Sequence, residues 1–154
     1  MTRQHPDQFD LFLEPVFPVR VATGQIDLRR FRAKLKRSMA QAIRECPYDR
    51  AVIAARMAQY LGLPNISKST LDAYTAESKE AHDISIPRFK AFVHATGATW
   101  LWDEIVSEDG LTILQGDEAK FAEIARLQQE QREIVAQLKV LKSIPVIGKR
   151  QRRA

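Results

Sequence analysis

Along most of this chain the apolar residues recur with a helical period. Leu28, Phe31, Leu35, Met39, Ala42 and Cys46 fall three or four positions apart. That spacing predicts one face of a helix, capped by Asp27 and stopped by Pro47. A second helix is expected over 50–61, with Asp49 as its cap and Gly62 as its left-handed end. Val52, Ile53, Met57, Tyr60 and Leu61 form its apolar stripe. Leu63, Pro64, Asn65 and Ile66 read as a turn. Ser67 then caps a third helix over 68–78, with Leu71 and Tyr74 facing inward. A polar loop follows. Pro87 opens a fourth helix that ends at Gly97 and turns Phe89, Phe92 and Val93 inward. Thr99 is expected to cap a short fifth helix carrying Trp100, Leu101, Trp102 and Ile105, closed by Gly110. Residues 111–114 read as a brief strand or a docking segment.

Asp117 is expected to cap the last and longest helix, which reaches about Ser143 before Pro145. Ile124, Leu127, Gln131, Ile134, Leu138 and Leu141 are spaced 3, 4, 3, 4, 3. This is a heptad seam with one polar a position, Gln131. The seam must find a partner, in a homodimer or by folding back on the chain's own bundle. A parallel homodimer through Ile124, Leu127, Ile134, Leu138 and Leu141 would present two copies of the third helix to half-sites about 34 Å apart. Residues 1–26 behave differently. Pro6, Pro15, Pro18 and Gly24 interrupt them and no period survives, so they read as a flexible arm. The expected organisation is an arm over 1–26, a helical domain over 27–116, a long helix over 117–144 and a basic tail over 145–154. The fold class is all-α.

Composition narrows the functional classes. At 154 residues, with 45% hydrophobic content, the chain supports one modest core. One cysteine excludes a disulfide framework and any multi-cysteine zinc site. No apolar run is long enough for a membrane span, and residues 1–8 lack a signal peptide, so a reducing cytoplasm is the expected compartment. Charge is uneven. Residues 27–46 hold seven basic and two acidic side chains, whereas 47–116 hold six basic and nine acidic. The final stretch, 144–154, holds four basic side chains and no acidic one. A basic first helix and a basic tail suit a polyanion, with Arg29, Arg32, Lys36, Arg150 and Arg152 as phosphate contacts.

Signals for catalysis are weak. The chain has no glycine-rich phosphate loop and no HExxH. Cys46 and His94 read as packing residues. His82, Glu80 and Asp83 are too loosely spaced for a metal. Neither enzyme activity nor a metal or cofactor is expected. The stronger pattern is two short helices joined by a compact turn, with small Ala54 and Ala55 allowing close approach. In a helix-turn-helix the N-terminal residues of the second helix meet base edges. Here those are Lys68, Ser69, Thr70 and Ala73, while Ser67 and Ser69 suit phosphates. An ordinary helical hairpin in a small bundle is the alternative, and Asp72 and Glu77 favour it.

Residues 53–78, IAARMAQYLGLPNISKSTLDAYTAES, resemble the helix-turn-helix of Xre/lambda-repressor-like regulators. With SIPRFKAFVHATGATWLWDEIV over 85–106, the stretch is similar to CII-like regulators of Mu-like and other prophages. The resemblance covers about 47–116. It implies a five-helix domain that binds double-stranded DNA, through Lys68, Ser69, Thr70 and Ala73, in a transcription regulator or replication accessory. The acidic balance and the long turn depart from that family's pattern. In the arm, Gln8-Phe9-Asp10-Leu11-Phe12 resembles the pentapeptide by which bacterial replication proteins hold the DNA sliding clamp. That resemblance implies Gln8, Leu11 and Phe12 as clamp contacts, and a non-enzymatic adaptor as the alternative function.

Overall fold

A computed structural model describes residues 19–145. Among the described residues six helices follow one another: α1 (Leu28–Glu45), α2 (Arg50–Leu61), α3 (Lys68–Thr75), α4 (Ile86–Thr96), α5 (Leu101–Val106) and α6 (Asp117–Ser143). The protein is all-α. Among the described residues the β structure is limited to one isolated antiparallel bridge, Ala22 to Asp109. The chain divides after Ile113 into two compact units.

The first unit is a five-helix bundle whose boundaries follow local chemistry. The Asp27 carboxylate accepts from the Arg30 N–H and the Asp49 carboxylate from the Val52 N–H, each opening a helix. Cys46, ahead of Pro47, takes an extended backbone and ends α1. Gly62, at φ 64°, ends α2 in the left-handed region that disfavours side chains. Helix α4 supplies the centre of the core through Phe89, Ala91, Phe92, Val93 and Ala95. Met39, Ile53, Met57, Leu71 and Leu101 close around Phe92, all fully buried. Ala54 and Ala58 let α2 run closely alongside α4. Trp102 meets the Phe89 ring edge-on at 5.0 Å between centroids.

Several boundaries and faces differ from the sequence expectation. Helix α3 stops at Thr75, not Ser78: the Ala76 N–H closes the last turn onto the Asp72 carbonyl and its own backbone then turns extended. Thr99 does not cap α5, which begins at Leu101 after tight turns onto the Ala98 and Thr99 carbonyls. Val52, Tyr60 and Leu28 are exposed, so the buried faces are narrower than the sequence stripe. His94 is exposed too and packs against Tyr60 at 5.6 Å. No strand forms over 111–114.

The larger correction concerns the arm. Its last residues are held. The Arg20 guanidinium donates to both oxygens of Asp103, at 2.8 and 2.6 Å, and to the Leu111 carbonyl at 2.9 Å. The Thr23 N–H donates to the Glu108 carbonyl at 2.9 Å. Asp103 also accepts the Ile113 N–H at 2.8 Å. One carboxylate therefore fastens both a strap over 20–23 and the segment leaving α5. Arg20 holds Asp103 below the ordinary carboxylate range.

The second unit contains α6. Asp117 does not cap it. Gly116, at φ 51°, holds the cap position, and Glu118 reaches back to accept the Gln115 N–H. No α6 residue is buried, and the seam side chains Ile124, Leu127, Ile134, Leu138 and Leu141 are 42–64% exposed. None of the described helices is long and apolar enough to cross a membrane.

Candidate nucleic-acid interface

The turn between α2 and α3 buries Ile66 and leaves 62–65 and 67 at the surface. Leu71 and Thr75, one turn apart, anchor α3 in the bundle beside Ile53 and Met57 of the same core. This leaves the first turn of α3 facing outward, with Ser67, Lys68 and Ser69 exposed and Thr70 half-buried. Ser67 accepts the Thr70 N–H at 3.1 Å, and its hydroxyl lies 2.8 Å from those of Ser69 and Thr70. Ser67 is thus the helix cap, and the three hydroxyls form one cluster on that turn. Lys68 has no hydrogen-bond or ion-pair partner among the described residues. It lines a shallow cleft with Ile43, Tyr48, Asp49, Arg50 and Ala51, where the ends of α1, α2 and α3 meet. The Arg50 guanidinium bonds Asp72 at 2.9 Å and the Thr75 hydroxyl at 3.0 Å. This pair offsets Asp72, one of the two acids that favour the hairpin alternative. Ala73 is half-buried.

Helix α1 is not the open basic face its composition suggested. Arg29 pairs with Glu80, Arg32 with Asp83, Lys34 with Glu104 and Arg37 with Glu77. Three of those acids lie in the segment from α3 to α4, so the acidic excess of 47–116 is spent on the basic excess of 27–46. Of the seven basic side chains of α1, only those of Arg30 and Arg44 have no partner among the described residues.

Lys36 overturns its expected role most directly. It is 4% exposed, and its ammonium donates to the Ala73 carbonyl at 3.2 Å and the His82 carbonyl at 2.9 Å. Its aliphatic stem has the right length to cross the core and deliver the charge to the end of α3. Burial lowers its pKa from the ordinary lysine value. A lysine held this way ties α1 to α3 and the loop beyond, and cannot reach a phosphate. Sequence periodicity placed it on the charged side because its binding groups are carbonyls, which leave no side-chain signature.

The loop acids are likewise occupied. Glu80 and Asp83 face arginines, and the His82 carbonyl faces Lys36. Among the described residues no group of three or more His, Cys, Asp or Glu side chains is placed to hold a metal. A feature the sequence reading missed lies on α2, where Arg56 sits 4.4 Å over the Tyr48 ring with its Nε buried and unpartnered. Gln8, Leu11 and Phe12 of the clamp-like peptide, and Arg150 and Arg152 of the tail, lie outside the described residues. Comparison of the chain with family models, with curated protein sequences and with solved structures finds no match.

Proposed function

We propose that this chain is a non-enzymatic protein that reads double-stranded DNA with α3, as a prophage-type transcription regulator or replication accessory. The observation that carries the reading is the seating of α3. Leu71 and Thr75 fix it in the bundle, while Lys68, Ser69 and Thr70 stand at its outward first turn. An ammonium and hydroxyls at a helix N-terminus suit both phosphate and base edges in a major groove. The resemblance of residues 53–78 and 85–106 to Xre- and CII-like regulators supports the same assignment.

The test is selection of bound duplexes from a random pool, followed by anisotropy titration. Lys68→Ala and Ser69→Ala should lower the preference for the selected duplex by about 1–3 kcal/mol per lost base contact. Arg32→Ala should leave that preference in place, since its guanidinium is already held by Asp83. No enrichment from the pool, or no duplex binding at low salt, overturns the reading.

A further inference from the structure

Helix α6 carries a continuous apolar seam with nothing covering it among the described residues of its own unit. Phe121, Ile124, Leu127, Ile134, Val135, Leu138 and Leu141 lie along one side, each between 42 and 64% exposed. At roughly 100 Å² per such side chain, the seam offers about 700 Å² per helix, near the ~800 Å² per partner of a standard stable interface.

We infer that the occupant of this seam is α6 of a second copy of the chain, aligned in parallel and in register. The polar layer decides the orientation. In register, Gln131 stands opposite its own copy, where two amides bond each other. In an antiparallel pair with the same seam, Gln131 faces Ile134 of the other copy, and two amides are buried without partners. The flanks agree with the parallel arrangement. Across the seam Glu123 then meets Gln128, Glu130 meets Val135 and Gln137 meets Lys142, so no like charges face each other. One electrostatic argument points the other way. Residues 117–130 carry net −2 and 131–143 net +2, so antiparallel helices would set unlike halves together. That attraction acts through solvent between exposed side chains and is screened within about 8 Å, whereas a buried unpaired amide is not. Arg126 already spends its charge on Glu123 and Glu130 of its own helix. Parallel pairing brings the two 114–116 connectors to one end, so two bundles are tethered there and two copies of α3 are available to one duplex; this last consequence rests on the proposed DNA reading.

Sedimentation equilibrium of the full chain at micromolar concentration should give a dimer. Ile134→Asp with Leu138→Asp should give a monomer with an unchanged thermal transition of the bundle. Orientation is read in a Cys46→Ser background. Oxidation of the Leu141→Cys variant should give a covalent dimer, since residue 141 meets its own copy only in the parallel arrangement. A wild-type monomer, a dimer that survives both aspartates, or a dimer in which Leu141→Cys stays uncrosslinked would each overturn the inference. Failure of DNA binding with the dimer intact would overturn the functional reading alone.

Discussion

Lys36 shows how a single side chain can invert its expected role. Its ammonium is buried against two carbonyls, and the Asp83 carboxylate nearby offsets only part of the cost of burial. Lys36→Ala removes the stem from the core and leaves both carbonyls short of a donor. The expected cost is about 2–4 kcal/mol in urea unfolding. Its pH dependence has a definite sign. The folded pKa lies below 10.5, so at pH values beneath the folded one both states are protonated and the whole cost of burying the charge is present. As pH climbs from the lowered folded value towards 10.5, the folded state loses its proton first and that cost is relieved. Stability of the wild type relative to Lys36→Met should therefore rise over that interval, and a flat difference would contradict the burial. Asp103 carries the opposite dependence. Arg20 depresses its folded pKa below 3.8, so its contribution is full above that value and is lost as pH falls through the folded one. Protection of the Thr23 amide, its exchange rate taken relative to that of a free amide at the same pH, should fall on acidification in the wild type and be low at every pH in Asp103→Asn.

Among the elements, those fixed by neighbours in sequence were legible and those fixed by distant partners were not. Asp49, Ser67, Pro47 and Gly62 act within four residues of themselves, and each sets a helix end where the sequence placed it. The α3 terminus is misplaced because Ala76, an ordinary helix former, turns extended just after Thr75, which is held by Arg50 from 25 positions away. The strap went unseen because Arg20 is a lone charge in a proline-broken stretch whose partner, Asp103, lies 83 positions on. For the candidate site, α3 and its first turn were readable, while the neutralisation of α1 required knowing that Glu77, Glu80 and Asp83 return to it. Gly110 is where the strap is tightest. At φ 74° it also sits so close that a Cβ would stand 2.7 Å from the Ala22 nitrogen. Gly110→Ala should strip exchange protection from Thr23 while leaving α2 and α4 protected. Gly62→Ala, with open space around it, should cost only the left-handed backbone, about 1–2 kcal/mol.

For the whole molecule, internal pairing of the bundle's charge changes what salt should do to DNA binding. Seven basic side chains on α1 suggested a steep dependence. Only two of them have no partner among the described residues. With Arg30 and Arg44 as the phosphate contacts α1 still offers, a chain ending at residue 145 should lose affinity with a log–log slope of about −2 for each copy bound, and the full chain should be steeper. A slope of about −4 for each copy bound in the shortened chain would mean that the α1 pairs open to take phosphates. The lodging of Lys36 has one more consequence, for covalent chemistry. An acylating reagent needs a deprotonated, accessible amine. Lys68, Lys90, Lys120 and Lys139 offer surface amines, but Lys36 is enclosed by α1, α3 and the loop after it. Its acylation must wait until those three segments separate. Mass-resolved labelling of this one lysine would therefore clock the opening of the bundle without any introduced probe.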